Sequence, residues 1–201
     1  MRNQTGENFL QNKFGNKKRA NAFYNNQMLD FLNDEMREFL SKQSMMFIST
    51  ANAAGNCDAS FRGGYPGFIR DIGEDRIIYP EYRGNGVMAS LGNIVENPHI
   101  GLMIIDFFEH TVGLHINGKA TIIEKQDIYK LKLTGEQLND IQEKEGDRPE
   151  QWVLVKVEEA YIHCSKHIPL LKPVAERPGE TARKSKEGDF FRTKRSTKIK
   201  L

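Results

Sequence analysis

The stretch YPEYRGNG, residues 79–86, decides the fold prediction because it joins the end of a predicted strand to a predicted helix from Met88 to Glu96. Its glycines allow backbone N–H groups to converge, and the free amides of a helix N-terminus carry partial positive charge. A phosphate group suits such a turn, with the Arg83 guanidinium and the Ser90 hydroxyl completing the anion site. The simpler interpretation, that Gly-Asn-Gly only turns the chain into the helix, stays open on this evidence.

Short extended runs lie on both sides of this segment. SMMFISTA and CDASF flank the turn sequence NAAGN at residues 52–56, which predicts a hairpin. The runs 68–72 and 76–82 predict a second hairpin around Gly73-Glu74-Asp75. Later runs at 100–107, 112–123 and 152–162 have strand character. About six strands are expected, which favours a mainly β fold with helices inserted between the hairpins of an antiparallel barrel.

Two further helical segments are predicted. Apolar residues recur at helical spacing from Met28 to Leu40, with charged residues between them, which predicts an amphipathic helix that allows a break near Asn33. A charged segment around Gln126 to Lys144 is also expected to be helical. These helices are expected to be additions to the barrel.

The length of 201 residues favours one domain with extensions. We expect a polar N-terminal arm at 1–22, a barrel domain at 23–171 and a charged C-terminal tail at 172–201. The net charge of +2 gives no global electrostatic reason to bind nucleic acid or an anionic membrane. No run reaches the roughly 18 apolar residues of a membrane span, and no signal-peptide core is visible, which predicts a cytoplasmic location.

Arg62 and Arg70 flank the glycine-rich kink GGYPG, residues 63–67. Both guanidinium groups could enter one groove and bind a phosphate in bidentate fashion, the alternative being a solvated arginine on each side of a bulge. The stretch HCSKH, residues 163–167, invites a metal interpretation. We predict no metal site, because all these ligands come from five consecutive residues with no distant partner.

Four segments in order resemble the FMN-binding split-barrel proteins related to pyridoxamine 5′-phosphate oxidase. They are DASFRGGYPGFIR (58–70), IIYPEYRGNGVMASLGNIVENPHIGLMIIDF (77–107), GLHINGKA (113–120) and YIHCSKHIP (161–169). The resemblance extends from about Phe23 to about Pro169. It implies a six-stranded antiparallel split β-barrel and a homodimer with two FMN sites at the interface.

The same resemblance implies which residues contact FMN. They belong to the flavin-contacting strand, an aromatic strand end, the phosphate-side loop with its helix, and a segment that the partner subunit brings beside the ring. They are Arg62, Phe68, Ile69, Arg70, Tyr79, Pro80, Arg83, Asn85, Ser90, Leu91, Asn93, His163, Cys164, Ser165 and Lys166. No catalytic side chain is assigned, because a flavin itself carries the electron transfer.

The expected function is a flavin-dependent oxidoreductase with a small-molecule redox substrate. Vitamin B6 phosphates are not expected as substrates, since the enzymes that oxidise them have Arg-x-His-x-Arg near the C-terminus and no histidine follows His167 here. The alternative is a non-catalytic module that binds or senses flavin, a deazaflavin or haem, with His115, His163 or His167 as haem ligands. The basic clusters 17–19 and 192–200 are typical of solvated tails, so neither nucleic acid nor a membrane is an expected partner.

Overall fold

The structure, a computed structural model, describes residues 5–173. Its helices are α1 (Thr5–Lys13), α2 (Lys17–Asn26), α3 (Asp34–Lys42), α4 (Ala89–Glu96) and α5 (Gly135–Lys144), with a 3₁₀ helix at Lys125–Lys130. Its strands are β1 (Met28–Leu29), β2 (Met45–Ala51), β3 (Cys57–Gly63), β4 (Arg70–Asp71), β5 (Arg76–Tyr82), β6 (His99–Ile105), β7 (Gly113–Glu124) and β8 (Pro149–His163). In this range no helix has both the length and the apolar character of a membrane span, and the longest have ten residues.

One antiparallel sheet organises the described chain. Seven of its eight strands follow the order β3-β2-β6-β7-β8-β5-β4, and the eighth, β1, pairs with β8 near the end of that strand. The predicted mainly β fold with helices is therefore confirmed. The predicted count of about six strands is too low, since the sheet has eight strands and includes β1, a two-residue strand that was predicted as helix. The sheet is open between β3 and β4, so closure into a barrel and the homodimer remain predictions.

Both predicted hairpins form, by pairing of β2 with β3 and of β4 with β5. Asn52 closes the first turn, because its side-chain oxygen accepts hydrogen bonds from the backbone N–H groups of Ala54 and Asn56. Gly55 in the same turn has a φ of 83°, in the left-handed region that favours glycine. The turn chemistry of residues 52–56 therefore sets this hairpin.

The predicted helix from Met28 to Leu40 is wrong in its first half. α3 begins only after Asn33, whose side chain accepts a hydrogen bond from the backbone N–H of Met36. Before this cap the chain is extended, and β1 pairs with the end of β8. Strand pairing gives the backbone of β1 its hydrogen-bond partners, and the strong Asn cap moves the helix start downstream.

Two apolar clusters hold the sheet and the helices together. The main core lies against the inward face of the sheet and includes Leu40 of α3 and Ile94 of α4. A smaller cluster around Trp152 packs α5 and the 3₁₀ helix against β5 and β8. The predicted N-terminal arm contains α1 and the first part of α2, which continues past residue 22 to Asn26. The predicted charged tail lies, from residue 174 onward, outside the described residues.

A bulge at Asn117 and Gly118 shifts the register of β7 against β8. A Cβ atom on Gly118 would lie 2.0 Å from the carbonyl oxygen of Lys156. We expect Gly118→Ala to lower the free energy of unfolding by about 1–3 kcal/mol, because the backbone has to move to accommodate the methyl group. Urea denaturation measures this change.

Gly92 of α4 is the matched control for this prediction, because a Cβ there meets nothing within 4 Å. Gly92→Ala is expected to be neutral or stabilising, since alanine favours a helix more than glycine does. A larger loss of stability in Gly92→Ala than in Gly118→Ala would contradict the packing argument.

Candidate functional site

A cavity of about 720 Å³ lies where β3, the end of β5, the turn before α4 and the start of β8 meet. We call it the β3–α4 cavity. Its volume lies within the range of about 300–1,000 Å³ that is typical of small-ligand sites. β3 contributes Asp58, Ser60 and Arg62 from alternate positions, which point to one face of a strand. The turn and the first residues of α4 form the opposite wall.

An ion pair spans the opening of the sheet at this cavity. Arg62 Nε donates to Glu81 Oε1 at 2.7 Å, and Arg62 Nη1 donates to Ser60 Oγ at 2.7 Å. Both charged side chains are largely buried, with exposed fractions of 16% for Arg62 and 10% for Glu81. Burial raises the pKa of Glu81, and the guanidinium opposes that effect. The pair therefore joins β3 to β5 and fixes the Arg62 guanidinium in the cavity wall.

The turn between β5 and α4 leaves the helix start without a side-chain cap. Met88 is the N-cap residue, with a φ of 55°, and its side chain makes no capping hydrogen bond. A left-handed conformation is uncommon for a residue other than glycine, and such strain concentrates at ligand sites. The Asn85 side chain accepts a hydrogen bond from the backbone N–H of Val87, which shapes the turn. The first N–H groups of α4 are thus available to an anion in the cavity.

Ser90 ties this helix to β3. It is buried, and its hydroxyl donates to Asp58 Oδ2 at 2.9 Å. Arg83 is exposed at the cavity wall and makes no ion pair with any residue between 5 and 173. The cavity also contains Glu150, so its charge is mixed. Because Arg62 is paired with Glu81, Arg83 is the cation best placed to meet an anionic ligand.

The structure brings five of the predicted site residues together around the β3–α4 cavity. They are Arg62, Arg83, Asn85, Ser90 and Leu91. The other predicted residues lie elsewhere. Phe68, Ile69 and Tyr79 are buried in the main core, Pro80 is buried within β5, and Asn93 Nδ2 donates to Thr50 Oγ1 at 3.0 Å.

Tyr79 combines deep burial with an unsatisfied hydroxyl. Its side chain is fully buried, and the hydroxyl has no hydrogen-bond partner within the described chain. Desolvation raises the pKa of this phenol far above its ordinary value. Tyr79 lies in the middle of β5 and not at the predicted strand end, so its side chain belongs to the core, and any contact to a ligand would have to come from its backbone.

Arg70 is held in a buried network on the far side of β4. Its Nη2 donates to Asp140 Oδ2 at 2.8 Å and lies 3.4 Å from Glu145 Oε1. The exposed fraction of Arg70 is 5%, and the Glu145 side chain is fully buried. Glu145 also accepts a hydrogen bond from the Tyr82 hydroxyl. The structure thus separates Arg70 from Arg62, although the two flank the same glycine-rich kink.

The predicted segment from His163 to Lys166 lies at the opposite end of β8 from the cavity. His163 is half-buried, whereas Cys164, Ser165 and Lys166 are exposed. His163 Nδ1 lies 2.9 Å from Nε2 of His115 on β7. Within one chain this segment does not line the β3–α4 cavity, so it would reach a flavin there only from a partner subunit.

Asp58, Glu81 and Tyr82 line the cavity and were not among the predicted site residues. A signal for Asp58 was present, because Asp58, Ser60 and Arg62 form a polar period-2 pattern in a β strand. Glu81 lies within the segment YPEYRGNG, residues 79–86, and its role is the ion pair with Arg62, which is 19 residues away in the sequence. The sequence did not indicate that ion pair.

Comparison with protein families identifies the class of protein. Residues 32–164 match the family described as pyridoxamine 5′-phosphate oxidase. The chain therefore belongs to the pyridoxamine 5′-phosphate oxidase family, which confirms the resemblance stated from the sequence motifs. No curated protein matches the chain.

Several solved structures are similar to this chain. HupZ of Group A Streptococcus is 18% identical with a TM-score of 0.49, and the match covers 70% of this chain and 99% of that chain. An FMN-binding protein of Syntrophomonas wolfei is 12% identical with a TM-score of 0.46, over 65% of this chain and 87% of that chain. An F420 reductase is 14% identical with a TM-score of 0.41, over 63% of this chain and 94% of that chain.

Proposed function

We propose that the chain binds FMN in the β3–α4 cavity and acts as a flavin-dependent oxidoreductase on a small-molecule redox substrate other than a vitamin B6 phosphate. The observation that carries this proposal is the pairing of Arg83, which has no ion-pair partner among residues 5–173, with the uncapped start of α4 in one cavity. A phosphate monoester satisfies both features at once, because it accepts hydrogen bonds from backbone N–H groups and neutralises a guanidinium.

The other groups of the cavity fit the remainder of FMN. Asp58 offers carboxylate oxygens to the hydroxyl groups of a sugar alcohol, and the Arg62 guanidinium, held by Glu81, offers donors to carbonyl oxygens. Asp58 and Glu150 would repel a second phosphate group, which favours a mononucleotide over a dinucleotide. When bound, the flavin supplies the electron-transfer chemistry, and the protein positions it and excludes water.

Purification, release of any bound chromophore by heating and identification by mass test the cofactor assignment. Flavin absorbance with released FMN is the expected result. A Soret band or a released deazaflavin would instead support the alternative of a haem- or deazaflavin-binding module. A colourless protein that stays colourless after incubation with excess FMN would contradict the proposal. The cytoplasmic location remains a prediction from the sequence.

The proposal includes a homodimer with FMN sites at its interface. The exposed face of β2 and β3 carries Phe47 and Phe61, whose exposed fractions are 44% and 56%. The two rings pack edge to face, with 5.7 Å between the ring centroids. Large exposed apolar groups on a sheet face mark interaction surfaces. A second copy would cover this face and bring its segment from His163 to Lys166 beside the flavin ring.

We expect light scattering to give the mass of a dimer for the wild-type protein and of a monomer for Phe47→Asp, because a buried, unpaired carboxylate strongly disfavours the interface. Phe9→Asp on α1 is the control, since Phe9 is also exposed but lies on a helix outside this face. A monomeric wild-type protein with a full complement of FMN would contradict an interface site.

A further inference from the structure

Two histidines from neighbouring strands form a pair, of which only His163 belongs to the segment that the flavin proposal places beside the ring. In the register of β7 and β8, Gly113 is opposite His163 and His115 is opposite Tyr161, so the two histidines are diagonal neighbours on one face. His115 Nε2 lies 2.9 Å from His163 Nδ1. The sequence predicted no metal site because HCSKH lacked a distant ligand, and the fold brings the distant His115 next to His163.

The separation of the two nitrogen atoms suits two ligands of one metal ion. Bonds of about 2.0–2.1 Å from a cation to imidazole nitrogen place adjacent ligand atoms about 2.9–3.4 Å apart for angles between square and tetrahedral. Without a cation, an N–H group of one imidazole donates a hydrogen bond to the ring nitrogen of the other. With a cation, each ring presents a lone pair and keeps its proton on its other nitrogen, so the change is one of tautomer and not of net charge.

The rings are already held in place. His115 stacks on Tyr161 with a centroid distance of 4.6 Å and an interplanar angle of 18°. His115 lies within β7, which is paired on both sides, and His163, the last residue of β8, is paired with Gly113, so the backbone of each histidine is already restricted before binding.

Within one chain, the His115 side of the pair opens to a cavity. His115 lines a cavity of about 480 Å³ on the exposed face of β2, β6 and β7. Met103, its partner across β6, and Asn117 line the same cavity. There is room for water or an external ligand in the remaining coordination positions.

We propose that His115 and His163 form a two-imidazole binding site for a borderline divalent cation, such as Zn²⁺, Cu²⁺ or Ni²⁺. Imidazole is a preferred ligand of these ions, and two nitrogens from one chain provide a chelate with open positions. The proposal goes beyond the flavin function, because neither His115 nor a cation takes part in that function. Both nitrogens belong to one chain, so the site does not depend on a dimer.

A competing cluster lies elsewhere in the described chain. Asp106, Glu109 and His110 bring their ligand atoms within 4.8 Å of one another. Asp106, however, already accepts hydrogen bonds from the backbone N–H groups of Phe108, Glu109 and His110. Its oxygens are therefore committed to the turn, and this cluster serves as an internal control.

The test is titration of the full chain with Cu²⁺ or Zn²⁺ against a competing chromophoric chelator, with electron paramagnetic resonance of the Cu²⁺ form to detect nitrogen ligands. We expect one site per chain with two nitrogen ligands. His115→Phe keeps an aromatic ring to stack on Tyr161 but removes the ligand atom. Loss of a residue that only hydrogen-bonds to a metal ligand lowers metal affinity by about 10–100-fold. Because His115→Phe removes a ligand itself, we expect a larger loss of affinity for the cation, and we expect the same of His163→Gln.

His99→Ala and His110→Ala are the controls, and both should bind the cation like the wild type. The same titration in the Phe47→Asp variant separates the metal site from the proposed dimer. Loss of binding with His115→Phe in either background supports the site. Absence of binding in both backgrounds, unchanged binding in His115→Phe, or loss only in His110→Ala would overturn it. Because His115 is not a proposed flavin contact, FMN content measured in the same variant shows whether the flavin proposal stands independently.

Discussion

Replacing Arg70 with alanine is expected to lower the free energy of unfolding by about 3–5 kcal/mol, because it leaves the buried Glu145 carboxylate without its main buried cation. Glu145 would keep the Tyr82 hydroxyl and the half-exposed Arg148 as partners, and these do not replace a guanidinium in the interior. Urea denaturation of Arg70→Ala, with an unchanged slope against denaturant, is the measurement.

Asp140→Ala is the matched control for this network. Asp140 also pairs with Arg70, but 32% of its side chain is exposed, and Arg70 would keep Glu145. We expect a loss of about 1 kcal/mol or less, since exposure to water screens the ion pair. Equal effects of the two substitutions, or an Arg70→Ala protein within about 1 kcal/mol of the wild type, would show that the network does not stabilise the fold as argued.

The direction of the Arg70 side chain could not be predicted from the sequence. The motif around the glycine-rich kink placed two arginines on adjacent extended pieces, and nothing local distinguishes their directions. Arg62 faces the cavity because it shares the strand face of Asp58 and Ser60. Arg70 turns away because α5, about 70 residues later in the chain, brings Asp140 and Glu145 to it. Partners so distant in sequence leave no periodic signal near the arginine.

The elements that local chemistry dictates were predictable. The hairpin at residues 52–56 depends on Asn52 and Gly55, and α4 stops before Pro98, as expected from its sequence. β1 was not predictable, because the apolar spacing of Met28 and Leu32 suits a helix, whereas the backbone of β1 pairs with β8. Pairing with a distant strand outweighs the helical spacing of apolar residues when the segment is short and a strong helix cap follows it.

Replacement of Arg83 tests the proposed phosphate site directly. We expect Arg83→Ala to weaken FMN binding by about 10- to 150-fold, because a charge-assisted contact to the phosphate is worth about 1.5–3 kcal/mol. Arg83 has no ion-pair partner among the described residues, so its removal leaves no uncompensated charge, and stability should stay within about 0.5 kcal/mol of the wild type. Titration of apoprotein with FMN, followed by the change in flavin fluorescence, measures the affinity.

Riboflavin separates a phosphate contact from a general effect on the cavity. It lacks the phosphate group, so Arg83→Ala should leave riboflavin affinity nearly unchanged while FMN affinity falls. Arg19→Ala removes another exposed arginine, on α2 and away from the β3–α4 cavity, and therefore controls for the loss of one positive charge. If Arg83→Ala weakened both flavins equally, or if Arg19→Ala weakened FMN as much, the phosphate would not lie at the start of α4.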